Sequence, residues 1–151
     1  MKQSSHDFWS NWLVVVSVLN GLMGALFAFT PLGVQALAMM SEWSGLVAAP
    51  VTTDENLISF AIGLTGAILV GWSVMLVGLT HFGFRQGERW AWVTIATSLL
   101  VWFVVDGYVS ASAGLYANIV GTSSFYFFRD PLVATFNSVV RRTDVHLEVA
   151  A

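Results

Sequence analysis

Asp106 is the ionisable side chain in this sequence whose position asks most for an explanation. It follows Trp90 by sixteen positions, about 24 Å of helix at 1.5 Å per residue, which places it inside the outer half of a bilayer's hydrocarbon. A carboxyl group at that depth is a candidate functional group by default, because exposing it to lipid is unfavourable by about 2.5 kcal/mol or more. It belongs to a row at four-residue spacing, Thr94, Ser98, Trp102, Asp106 and Ser110, which forms one polar ridge on a helix. A second row, Gly114, Asn118, Thr122 and Tyr126, follows it, and Asn20 is a polar group in the middle of an earlier apolar run. A hairpin turning near residues 107–112 would bring Asp106 close to Asn118. The candidate site is therefore Asp106, Asn118, Asn20, Thr122, Ser98 and Trp102. Three readings stay open for it: hydrogen-bonded cross-links between helices, a site for a polar ligand, ion or proton, or a face turned to another protein.

Other chemistries lack their parts. The chain has no cysteine, which removes disulfides, thiolate nucleophiles and iron–sulfur ligation. His6 and His146 lie outside the apolar runs and His81 at the end of one, so neither a bis-histidine haem site nor a zinc cluster is expected, and no cofactor or metal is assigned. No Ser–His–Asp spacing or phosphate-cradling glycine loop is present. Six basic and nine acidic side chains, for a net charge of −3, make no phosphate-binding footprint, so nucleic acid is not an expected partner.

The elements that must position these residues are transmembrane helices. Of the 151 residues 56% are hydrophobic and 10% charged, which makes lipid the natural solvent. Apolar runs over about 12–30, 57–79, 90–109 and 112–128 each approach or exceed the length needed to cross a bilayer. The first is longer than a typical signal-peptide apolar core and is read as a span although Lys2 precedes it. Thr52, Thr53, Asp54 and Glu55 suit the start of the second. The expected fold is all-α: a membrane four-helix bundle with an outer interfacial helix at 32–49 and a short amphipathic helix at 131–141, in a single domain.

In the outer segment Leu37, Met40, Trp43 and Val47 recur at helical spacing, as expected of a helix lying on the outer leaflet or folded over the bundle. At the other end Asp130 and Pro131 read as an N-cap and first helical residue, with Leu132, Phe136, Val139 and Val140 as an apolar stripe. Lys2, Arg85, Arg89, Arg129, Arg141 and Arg142 all fall on one side of the spans, and the opposite connections hold none, which predicts cytoplasmic N and C termini. Trp9, Trp12, Trp90, Trp92 and Phe125 to Phe128 mark that interface. Small residues at four-residue spacing, Gly21/Ala25, Gly24/Ala28, Gly63/Ala67/Gly71 and Ala113/Ala117/Gly121, predict close helix contacts.

The turn Gly87-Glu88-Arg89-Trp90-Ala91-Trp92 and the later Trp102-Phe103-Val104-Val105-Asp106 resemble an uncharacterised family of small four-span bacterial membrane proteins. The likeness covers residues 57–128 and implies a bacterial cytoplasmic membrane location without any activity or residue role. The leading functional expectation is a non-catalytic accessory or assembly subunit of a membrane complex, in contact with lipids and with other subunits or a second copy. The alternative is a small binding or transport protein, or an enzyme acting on a lipophilic substrate, with its polar site around Asp106 and Asn118.

Overall fold

The computed structural model describes residues 2–46, 55–121 and 127–136, and every regular element among them is helical. The elements are α1 (Lys2–Phe29), α2 (Leu32–Trp43), α3 (Glu55–Phe82), a 3₁₀ turn at Phe84–Gln86, α4 (Arg89–Ser112) and α5 (Tyr116–Gly121). A further helix, α6, covers residues 127–136. Among the described residues three segments are long and apolar enough to cross a membrane: His6–Phe29, Glu55–Gln86 and Arg89–Ser112. Within the fourth expected span the described helices are α5 and the beginning of α6. Thr52 to Asp54, Thr122 and residues 137–141 lie outside the described residues.

Local chemistry sets the ends. The Thr30 hydroxyl donates to the Leu26 carbonyl (2.6 Å), and Pro31 opens α2. Glu55 places a carboxylate in the first turn of α3, where the helix dipole favours it. Gly87 takes the left-handed conformation (φ 75°) that lets the 3₁₀ turn reverse into α4. The reversal after α4 comes later than the expected 107–112. Gly107 is accommodated inside the helix, and Gly114 (φ 74°) ends it with the Leu115 N–H donating to the Ser110 carbonyl (2.9 Å) and the Gly114 N–H to that of Ala111 (3.1 Å).

α1 and α3 are antiparallel and form the tightest pair. Asn20 meets Ser73, Gly24 meets Gly66, and near the opposite end His6 stacks on Phe84. A Cβ on Gly24 would stand 2.7 Å from the Gly66 carbonyl oxygen, so the two backbones touch directly. Gly66 carries the closest contact; a Cβ on Gly63 would lie 3.8 Å from the Ala28 carbonyl oxygen and one on Gly71 would meet nothing within 4 Å, because the faces that meet are set by the relative rotation of the helices.

The buried core lies at the end holding the α3–α4 turn. Leu13, Leu76, Phe84, Ala91, Ile95 and Leu99 meet Phe128 and Leu132 of α6 there. α6 therefore packs into the bundle. Pro131 sits inside this helix and does not open it, which corrects the N-cap expectation. Its missing N–H frees the Phe127 carbonyl, and the Trp12 indole donates to that oxygen (3.0 Å). Trp92 likewise donates to the Leu132 carbonyl (3.1 Å). The buried face is Phe128, Pro131, Leu132 and Thr135, with Phe136 turned outward beside Trp92.

α2 folds over the other end as a strap, the second of its two expected placements. Gly33 abuts Ile62 of α3, and the Ala117 N–H of α5 donates to the Ser44 hydroxyl (3.1 Å). Leu37 and Met40 are half-buried, but Trp43 is exposed and outside the expected apolar face; Val47 is not among the described residues.

Candidate functional site

Two helices that touch at one end and diverge toward the other leave a groove between them. At the turn, Ala91 lies hard against Gly83, and Ile95 and Leu99 are buried in the core. Beyond this pivot the Trp72 and Trp102 rings meet across the gap with their centroids 5.6 Å apart. The resulting groove, about 850 Å³, is lined on α3 by Thr65, Ile68, Leu69, Gly71, Trp72 and Met75. α4 contributes Ser98, Val101, Trp102, Val105, Asp106 and Val109. On either helix the lining extends over about 15 Å, half the thickness of a bilayer's hydrocarbon.

The polar ridge of α4 faces this space. Ser98, Trp102 and Asp106, three of the six expected site residues, line the groove one helical turn apart. Asp106 is half-buried and accepts a hydrogen bond from the Asn118 amide (3.1 Å), which also donates to the Ser110 hydroxyl (2.8 Å). The hairpin thus brings Asp106 and Asn118 together despite its later turn, because residue 118 has by then run back beside the last turns of α4. Asn118 holds the carboxyl group against α4 without blocking the groove, whose lining includes Asp106 but not Asn118.

Asn20 goes elsewhere. Its amide donates to the Ser73 hydroxyl (2.9 Å) in the α1–α3 interface, and it does not line the groove. Thr122 lies outside the described residues. Thr94 donates to the carbonyl of Trp90 one turn back (2.8 Å), which satisfies its hydroxyl within its own helix.

Sequence reasoning missed Trp72 and Thr65. Trp72 had a readable signal: a tryptophan in the middle of an apolar span, away from the interfaces where this residue concentrates, calls for a local partner. Thr65 had none, since its hydroxyl donates to the Ala61 carbonyl as in any helix (2.9 Å).

The groove can do a limited set of things. It offers apolar walls, two indoles and a carboxyl group at one level, an arrangement suited to holding an amphipathic molecule in a defined orientation. The described residues thus form an all-helical fold with three segments long and apolar enough to cross a membrane and a cleft between two of them. No family model, curated protein or solved structure matches the chain.

Proposed function

We propose that this chain is a small integral membrane protein that binds a lipophilic molecule in the groove between α3 and α4. The observation that carries this reading is the convergence of Ser98, Trp102 and Asp106 on one cleft of about 850 Å³, a volume in the range of small-molecule sites. The height of the groove favours a small molecule over a partner's spanning helix. Such a helix needs about 30 Å of continuous contact, and the pivot at Gly83 and Ala91 closes the groove after about half of that. A second reading, an accessory subunit of a membrane complex, draws on Ala67 and Gly71, which are exposed at four-residue spacing.

The test uses phospholipid with a diazirine near the end of one acyl chain, followed by mapping of the adducts. Val101 and Val105 line the groove at 56% and 55% exposure, while Leu100 and Val104 on the rest of α4 are 56% and 60% exposed. Ligand or lipid residence in the groove predicts severalfold more adducts at Val101 and Val105. Equal labelling of all four would mean ordinary annular lipid and defeat the reading.

We also place the chain in the bacterial cytoplasmic membrane, crossing four times with both termini in the cytoplasm. Support for the fourth crossing comes from two contacts. Asn118 meets Asp106 and Leu132 meets Trp92, so residues 118 and 132 lie beside points about 21 Å apart along α4. Arg85, Arg89 and Arg129 at the end holding the α3–α4 turn support its cytoplasmic placement. A cytoplasm-dependent reporter inserted within residues 83–89, or fused after residue 142, should be active. Activity of a periplasm-dependent reporter at either position would overturn this topology.

A further inference from the structure

We infer that the ligand is a lipophilic cation, a single positive charge on an apolar body; this rests on the groove reading and adds the sign of the charge. Among the described residues of the lining, Asp106 carries the one acidic group and none is basic. Arg89, at the start of the same helix, is about 25 Å away along the axis. An anionic head at this level would be tolerated only with the Asp106 carboxyl group protonated and with no basic side chain of the described lining to offset its own charge, whereas a cation pairs with the ionised group. A cation meets two kinds of complementary group: the carboxylate, and the indole face of Trp102 one turn away with Trp72 against it.

The placement also orients the ligand. Asp106 stands toward the Val109 end, and the groove continues past the indole pair to Ser98, about 12 Å below it on α4, and to Met75 of α3. A cationic centre beside Asp106 therefore leaves its apolar body among Ile68, Leu69, Val101 and Val105. The Asn118 amide fits this arrangement, because it holds one carboxyl oxygen from the side away from the groove and steadies the side chain.

The experiment compares two ions of nearly equal size and shape, tetraphenylphosphonium and tetraphenylborate. Each is equilibrated with the full chain in zwitterionic nanodiscs, and empty nanodiscs correct for partitioning. Saturable binding of the phosphonium is expected, with none of the borate. Asp106→Asn should weaken phosphonium binding about tenfold or more and Asp106→Glu should retain most of it. Trp102→Leu should weaken it severalfold. In the unmodified protein, phosphonium should suppress diazirine labelling at Val105 and borate should not, a readout independent of whether any variant folds.

Saturable binding of both ions alike, or phosphonium binding indifferent to Asp106→Asn, would overturn the cation assignment while leaving the groove as a binding site. No saturable binding together with uniform diazirine labelling would remove both. Phosphonium binding that appears only after a tightly held membrane protein is stripped away would overturn the assignment in favour of a partner's helix bearing a basic residue.

Discussion

Gly66→Leu should abolish the stable fold, because a side chain at that position has nowhere to go. A Cβ there would press on the carbonyl oxygen of Gly24 and stand 2.6 Å from the Ala28 amide nitrogen and 3.1 Å from its Cα. These obstacles are backbone atoms of a regular helix, so no rotamer change relieves them. α1 must move away from α3, and with it go the Asn20–Ser73 hydrogen bond and the contact of Ala28 with α3. Overpacking of a well-packed site costs about 1–3 kcal/mol when side chains can adjust, and more is expected where the backbone must shift. Gly71 provides the control: nothing lies within 4 Å of its would-be Cβ, so Gly71→Ala should be neutral or stabilising by roughly 0.5–1 kcal/mol through helix propensity. Unfolding in mixed micelles of rising dodecyl sulfate content reads both. An unchanged midpoint for Gly66→Leu would mean that α1 and α3 are not in backbone contact.

Phe84→Ala should cost about 3–5 kcal/mol, the usual range for emptying a phenylalanine site in a core. Phe84 is 0% exposed, it lies in the 3₁₀ turn between α3 and α4, and the His6 ring stacks on it at 5.4 Å. Around it are Leu13, Leu76 and Ala91, so the ring joins α1, α3 and α4 at the pivot from which the groove opens. Phe82, two residues earlier, is 69% exposed, and Phe82→Ala should shift the same unfolding midpoint by less than roughly 0.5 kcal/mol. The Phe84 variant should also become sensitive to protease within residues 83–89. Equal effects of the two alanines would show that this end of the bundle is not organised around Phe84.

The sequence alone determined that the chain is helical with runs long and apolar enough to cross a membrane, because the length of an apolar run and its lack of charge are properties of each segment by itself. It also determined that Asp106 and Asn118 could meet, since both follow from four-residue spacing on either side of one reversal. The strap at α2 and the stripe in α6 were legible as amphipathic helices, but not their orientation. Trp43 points outward, Pro131 lies inside its helix, and both depend on which neighbour presents a surface or a donor. Asn20 was grouped with Asp106 by polarity, whereas the rotation of α1 against α3 directs it to Ser73.

Only the tertiary structure decided which small residue carries the α1–α3 contact and that α3 and α4 part to form a groove. The physical reason lies in the solvent. Lipid is as apolar as the side chains it surrounds, so hydropathy expresses no preference for one face of a spanning helix over another. The choice falls to backbone approach at Gly24 and Gly66, to the closed pivot at Gly83 and Ala91, and to the two indoles that occupy the gap beyond it. Those are relations between segments far apart in the chain, and spacing within one segment does not encode them.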